Sequence, residues 1–444
     1  MVSNFKLVIC SFTKNDTMDT YGLILLIAMP IFVVLILIEI IAYAAKNKDY
    51  NYIDSVSSLY SGMTNTIKDV LGLTIVVFSY EFLVDNLSIL HWKENTALTY
   101  IIAFIVMDFG GYWYHRISHT VNYFWNLHII HHSSEEYNLP CALRQQFAVI
   151  SNLLFIFCIG IFLAILGIPK EVYIITAPIH LFMQFWYHTK LINKMGFLEK
   201  IIVTPSHHRV HHSMNAIYMD KNYSQIFIIW DKMFGTFQEE LIEEPCVYGV
   251  RRPARTWNPF LINTQHVWLL IKDAIRTKNW IDKIKVWFMP TGWRPKDIEE
   301  KYPVFYLKAD DVYNFEKYNP WYSKKFQIWS QIHLTVMFLL MGFLFFNIKN
   351  LQNNNLYIYY GLFLLFSIFS YTTLMDKKLL GVITECINLL LVAIIVFTTQ
   401  NWFGLNEFIH NGHLIVFSFF VLEAIAAIYF YFIEFKKELK PQII

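Results

Sequence analysis

The sequence predicts an all-α membrane protein, a multi-pass bundle of transmembrane helices with a cytosolic, histidine-rich cap that holds a two-metal site. Three observations carry this expectation. The 444-residue chain is 56% hydrophobic and only 16% charged, against about 25% charged residues in an ordinary soluble protein. Its apolar residues gather into long runs, as a bilayer requires and a single soluble core does not. Of its 16 histidines, eleven lie between His115 and His212, far more than even spacing would place there.

The apolar runs predict about nine spans. Tyr21 to Ala45 is the first, nearly free of charge except Glu39, and Pro30 is placed to kink it. It is too long for a signal-peptide core, and no small-residue cleavage pattern follows it. A weaker run from Val70 to Leu90 carries Glu81 and Asp85, and Ala97 to Trp113 is the third. Phe147 to Ile168 and Val172 to Tyr187 follow, divided by a turn at Gly167-Ile168-Pro169-Lys170. These two fit either separate spans or a re-entrant helical hairpin. Phe326 to Phe346, Leu356 to Leu374, Leu379 to Thr399 and His413 to Ile433 complete the set.

Charge sets the expected orientation. Lys46 and Lys48, Lys190, Lys194 and Lys200, Lys377 and Lys378, and Lys436, Lys437 and Lys440 fall on one side of a nine-span chain. The positive-inside tendency makes that side cytosolic and puts the N-terminus outside. The expected location is an integral membrane, endoplasmic reticulum in a eukaryote or cytoplasmic membrane in a bacterium. The polar stretch from Thr189 to Lys325, rich in Trp, Pro and Arg, reads as the cytosolic cap. The organisation expected is therefore N-terminal helices over 1–100, a catalytic region over 101–240, a connector over 241–325 and C-terminal helices over 326–444.

Several function classes are disfavoured. Net charge is only +2, and no basic stripe suggests nucleic acid. Cys10, Cys141, Cys158, Cys246 and Cys386 are scattered and form no CxxC pair. No nucleophile elbow, phosphate loop or dinucleotide fingerprint appears, since Gly110-Gly111 lies inside an apolar run. With no haem or flavin domain evident, electrons must come from a partner protein or a diffusible cofactor.

The histidines form three clusters. His115 and His119 make an HxxxH; His128, His131 and His132 make an HxxHH; His208, His211 and His212 make another, with His207 just before it. Spacings of three and four put side chains on one face of a helix about a turn apart. One HxxxH arises readily by chance, but three ordered clusters within one stretch do not. These eight histidines suffice for two metal ions with roughly four nitrogens each. His188, at the end of the fifth run, is a ninth candidate, against the plainer role of an interfacial polar tip. His207 is a weaker one. His91, His180, His266, His333, His410 and His413 read as ordinary surface or core histidines.

All-imidazole ligation suits iron, zinc or copper, whereas structural zinc prefers closed, cysteine-rich sites. Two redox-active irons would share the electrons needed to split dioxygen. Carboxylates are expected around them. Asp108 lies seven residues before His115, on the same helical face, where it could accept the free N–H of a ligating histidine; a capping or interfacial role is the plainer alternative. An ionisable residue in an apolar span is a functional candidate by default. Asn222 and Asp231, after the third cluster, are candidates of the same kind, while Glu135 and Glu136 read equally well as a solvated loop. Trp113, Tyr114, Trp125, Trp186 and Tyr187 would limit water access, or simply anchor the chain at the interface.

These clusters resemble the fatty acid hydroxylase / sterol desaturase superfamily of membrane di-iron enzymes, over about Ile101 to Phe237. Further strings strengthen the resemblance: Tyr112-Trp113-Tyr114-His115-Arg116, His131-His132-Ser133-Ser134-Glu135 and Gln184-Phe185-Trp186-Tyr187-His188-Thr189. Thr204-Pro205-Ser206-His207-His208 and Trp230-Asp231-Lys232-Met233-Phe234-Gly235-Thr236-Phe237 complete it. They are most similar to the superfamily's ether-lipid-cleaving members. That similarity implies two Fe ions held by the eight motif histidines, and tetrahydrobiopterin as reductant. It implies hydroxylation of the ether-bearing carbon of an alkylglycerol by O2, with release of a fatty aldehyde. One position departs: Thr120 directly follows the HxxxH, where animal members carry an acid.

Two other readings stay open at this point. A relative acting on a sterol, carotenoid or fatty acyl chain would use an electron-transfer protein, and product analysis with and without pterin separates it. A metal transporter or sensor would bury its ligands among the spans, whereas these clusters sit at span ends and in loops.

Overall fold

The computed structural model describes residues 16–71, 76–92, 95–147, 150–352 and 355–438. Cys10 and Lys440, named above, lie outside the described residues. The described residues are helical with irregular connections, and only isolated β-bridges such as Val121 with Pro290 occur among them. They divide into two compact units. One takes the described residues within Met1–Ile41, Thr66–Gly72 and Trp321–Ile444; the other takes Ala42–Asn65 and Leu73–Pro320.

Every expected apolar run forms helix, but not every one reaches spanning length. Among the described residues six helices are long and apolar enough to cross a membrane: Ile27–Ala45, Ala97–Thr120, Lys324–Phe346, Leu356–Met375, Leu379–Thr399 and Gly412–Phe435. Pro30 sits inside a helix that continues across it from Asp16 to Ala45. The helices of the other three runs are shorter among the described residues, so the expected nine spans stand as an approximate count beside these six. Among the described residues of the run from Val70 to Leu90, the helix Val76–Leu87 gives about 18 Å of helix against a hydrocarbon core of about 30 Å. The run from Phe147 forms Ile150–Phe155, a π-helical turn Ile156–Gly160, and Ile161–Ile165. The fifth run forms Lys170–Phe182. The tight turn expected between these two is present, with Gly167 at φ +64°. That backbone region suits glycine, and a Cβ there would lie 1.8 Å from the Leu90 carbonyl oxygen.

In the second unit the helix Ala97–Thr120 is the post on which the site is hung. The Thr96 side chain accepts from the Thr99 backbone N–H to start it, which satisfies one otherwise orphaned donor. Its inner face, through Ala103 and Met107, packs into a core with Leu154, Cys158, Leu163 and Val172. The backbones approach closely at Gly110, where a Cβ would lie 2.4 Å from the Cys158 carbonyl oxygen. Cys158 is in the π turn, so the widened backbone of one helix meets the bare backbone of the other. Packing of this kind, rather than a hydrophobic drive, holds helices together in lipid.

The cap contains two amphipathic helices, Pro259–Arg276 and Trp280–Phe288. Asn122, in the loop after the HxxxH, pins that loop to the cap: its Nδ2 donates to the Val286 and Trp293 carbonyls. His266 bonds the Asn122 backbone and side-chain oxygens, so it is a structural histidine. A polar helix, Tyr52–Val70, has no counterpart in the hydropathy reading.

The close approach at Gly110 predicts a steric cost. Gly110→Val should destabilise the purified protein by about 1–3 kcal/mol, read as a lower midpoint of thermal unfolding in detergent. An unchanged midpoint would mean that the backbones do not meet there.

Candidate metal centre

All three histidine clusters, supplied by distant stretches, converge. His115, His119, His128, His132 and His211 form one group, and His131, His188, His208 and His212 form a second. Within each group the ligand atoms lie within 4.8 Å of one another. Each HxxHH divides between the groups. His128 and His132 share a face and join the first group, while His131 turns to the second. His208 and His212 join the second group, while His211 turns to the first. The groups adjoin, with His132 and His212 stacked at 4.3 Å between ring centroids.

The local structure behind this is short. The second cluster occupies one turn, Ile129–His132, with His128 as its cap. The third lies on Pro205–His211, which begins with proline at its first turn and a capping box between Thr204 and His207. The imidazole of His207 is spent on that cap, and the residue belongs to neither group. His188 lies past the end of Lys170–Phe182, just after the turn that follows that helix.

The nitrogens that face inward are Nε2. His115 and His128 bring theirs to 2.9 Å, His132 and His211 to 3.0 Å. In the second group the Nε2 pairs are His188–His208 at 2.9 Å, His208–His212 at 3.0 Å and His131–His188 at 3.3 Å. Two nitrogens bound at about 2.1 Å to one ion and about 90° apart lie about 3.0 Å from each other. Nε2 of His119 is buried with no hydrogen-bond partner among the described residues. These distances and this orphaned nitrogen fit metal ions, and the thiolate-free donor set suits iron, zinc or copper.

The opposite edge of four rings is fixed by backbone. Nδ1 of His115 faces the Tyr223 carbonyl at 2.7 Å, and Nδ1 of His211 faces the Lys221 carbonyl at 2.9 Å. Nδ1 of His188 faces the Gln184 carbonyl at 2.9 Å, and that of His131 the Arg144 carbonyl at 3.3 Å. An Nδ1–H donating outward leaves the Nε2 lone pair pointing in. Burial pushes His131 down to about 3, and it holds His128, His132, His188, His208, His211 and His212 well below the ordinary imidazole range. The rings are therefore neutral near pH 7, the form that ligates.

Asn222 stands between two of these carbonyls. Its backbone is left-handed, at φ +56°, a conformation that asparagine tolerates better than most residues. Its Nδ2 donates to the carbonyls of His207 and Gln238, and its Oδ1 accepts from the Gln238 N–H. Asp231 accepts from the N–H groups of Tyr223 and Ser224 and from the Thr236 hydroxyl. Asn222 and Asp231 thus shape the loop that receives His211 and His115.

Asp108 is placed differently from the expectation. Its partner is His180 at 2.9 Å, not one of the nine clustered histidines. It also accepts from the N–H groups of Ile226 and Phe227 and from Nε1 of Trp230. Fully buried, it ties the Ala97–Thr120 helix to the segment that follows the third cluster. The reason is reach: His180 and the donors at 226–230 take up its carboxylate, and none of the nine clustered histidines does. Asp54 carries no site signal in the sequence, and its partner is Arg144. They pair at 3.1 Å while buried, and Arg144 also donates to Ser58 and Ser133, which holds the carbonyl facing His131. A polar helix with no hydropathy signal concealed Asp54.

Of the aromatics expected near the site, Trp125 lies 5.0 Å from His119, and Tyr187 lies 4.3 Å from His208, between ring centroids. Trp113, Tyr114 and Trp186 pack instead on Phe234, Phe155 and Tyr187. Tyr137 and Tyr223 take places against the rings, Tyr137 at 5.3 Å from His212 and Tyr223 at 5.3 Å from His119. Thr120 is exposed and bonds back to the Arg116 carbonyl.

Residues 100–236 match the family model described as fatty acid hydroxylase, in agreement with the resemblance carried by the histidine strings. The chain is 39% identical over 269 residues to alkylglycerol monooxygenase of Xenopus tropicalis, covering 60% of this chain and 58% of that one. It is 36% identical over 271 residues to the Homo sapiens protein of that name, covering 60% and 59%. To the Caenorhabditis elegans protein it is 33% identical over 319 residues, covering 69% and 62%. The match thus spans about three fifths of the length of these relatives. No solved structure matches.

The role given to Asn222 predicts that Asn222→Ala releases metal to a chelator more readily, with affinity lower by about 10-fold or more. Asn222→Gly, which accepts the left-handed backbone, should recover part of the loss. Equal metal retention by all three proteins would remove Asn222 from the support of the site.

Proposed function

We propose, from the match of residues 100–236 to the fatty acid hydroxylase family and from the two adjoining imidazole groups, that this chain is a membrane di-iron monooxygenase acting on a lipid C–H bond. The substrate we assign is an alkylglycerol, hydroxylated at its ether-bearing carbon. One oxygen atom of O2 enters that C–H bond, and the other leaves as water with two electrons and two protons from a reductant. The reductant assigned is tetrahydrobiopterin. The hemiacetal formed then breaks to a fatty aldehyde and a glycerol. The names of the relatives support the substrate class.

The observation that carries the reading is the five-plus-four arrangement of inward-facing Nε2 atoms, on and beside a helix apolar enough to cross a membrane. Two iron ions held by the two groups would supply the redox chemistry that activates dioxygen. The remaining work belongs to the chain. The carbonyls of Tyr223, Lys221, Gln184 and Arg144 hold ring orientation. Tyr137 and Tyr187 seal the second group, all of whose histidines are buried. The first group is more open, since His128 is half-buried and Trp125 beside it is too. We assign this side to the approach of the lipid tail, with the glycerol head at the cytosolic interface. Asp108 and Asn222 act as positioning residues.

Membranes or purified protein supplied with a labelled alkylglycerol, O2 and reduced tetrahydrobiopterin should release labelled aldehyde. His132→Ala should reduce the release to background. Retained release in that variant would remove His132 from the centre. Turnover of a sterol or acyl lipid with a protein electron donor, and none of the ether lipid with pterin, would overturn the substrate and reductant assigned.

A further inference from the structure

His333, set aside from sequence as an ordinary histidine, lies in the first unit beside two carboxylates. It comes from the helix Lys324–Phe346, Glu385 from Leu379–Thr399 and Glu423 from Gly412–Tyr429. The three ligand atoms lie within 4.8 Å of one another. The enclosure is complete, with His333, Glu385 and Glu423 at 0%, 1% and 1% exposure. All three helices are long and apolar enough to cross a membrane. Tyr371, from Leu356–Met375, stacks flat on His333 at 3.9 Å and 9°.

The carboxylates are oriented from behind. Nε1 of Trp329 donates to Oε2 of Glu423 at 2.8 Å, and Nδ2 of Asn388 donates to Oε2 of Glu385 at 3.1 Å. Donors placed on one oxygen favour the ionised form. The other oxygen of each, Oε1, is buried and has no hydrogen-bond partner among the described residues. No lysine or arginine among the described residues is ion-paired with either glutamate. Two ionised carboxylates in an apolar bundle are costly unless a cation is shared between them.

We propose that His333, Glu385 and Glu423 bind one divalent transition-metal cation, separate from the nine-histidine centre, and so clamp three C-terminal helices together. Two carboxylates and a divalent cation sum to zero charge, the state an apolar surrounding tolerates best. One imidazole nitrogen with two carboxylate oxygens suits manganese, iron(II) or zinc; magnesium and calcium prefer all-oxygen sites. Trp329 and Asn388 serve as the outer partners that fix the ligand oxygens. The inference stands on these residues alone and does not depend on the function proposed above.

The test uses the full chain in detergent, stripped with a chelator and reloaded with zinc(II) or manganese(II) alone. Glu385→Gln with Glu423→Gln should hold one metal equivalent fewer than wild type by elemental analysis. His208→Ala, which alters the histidine centre, should retain that equivalent. Metal should raise the wild-type unfolding midpoint more than that of the double variant. If the double variant does not fold, the single variants Glu385→Gln and Glu423→Gln are compared in its place. A second measurement uses infrared absorption of the metal-loaded wild type, which should lack a carboxylic-acid band assignable to these residues. Wild-type metal content in folded Gln variants would overturn the proposal. So would an acid band in the loaded wild type that the substitutions remove, because the pair would then be protonated.

Discussion

The constraint on which the second unit depends is the gathering of nine imidazoles, all but His128 buried, with their Nε2 lone pairs turned toward one another. Neutral nitrogen acceptors facing nitrogen acceptors gain nothing from each other, and water is largely excluded. Such a cluster is stable only if cations occupy the space between the rings and if the outer nitrogens are satisfied. For four of the rings the structure supplies the second condition directly, through carbonyls at Tyr223, Lys221, Gln184 and Arg144. Each carbonyl converts a ring with two possible tautomers into one whose lone pair points inward.

Much of the surrounding polar structure serves those carbonyls. Asp231 gathers the N–H groups of Tyr223 and Ser224, Asn222 fixes the left-handed step beside them, and Asp108 anchors the next stretch to the long helix. On the other flank, the buried Arg144–Asp54 pair holds the loop that faces His131. Charge-assisted bonds of this kind are stronger than neutral ones, and buried carboxylates are tolerated because donors surround them. The fold therefore uses its buried charges as fasteners around the rings, and the rings themselves carry none.

The two units treat ionisable residues in apolar helices in the same physical way. Asp108 in one and Glu385 and Glu423 in the other are each held by N–H donors on at least one oxygen. The difference is that Asp108 has every oxygen engaged, whereas the two glutamates each keep one oxygen bare. That difference separates a structural carboxylate from a candidate ligand.

Local information sufficed for some of this. Long apolar runs such as Leu379–Thr399 declare themselves because hydropathy over one helix is a property of contiguous residues. The spacings 115/119, 128/132 and 208/212 declare themselves because four residues bring side chains back to the same face of a turn. The sequence by itself therefore determined that this is a helical membrane chain with a histidine-rich region whose clusters could hold metal. Tertiary structure alone decided which ring joins which group, since neighbouring residues such as His131 and His132 diverge around a turn and only distant partners settle their use. It also decided that Asp108 is taken by His180 and that His333 meets two glutamates. Those outcomes depend on contacts between residues tens to more than a hundred positions apart, and no local pattern records such contacts.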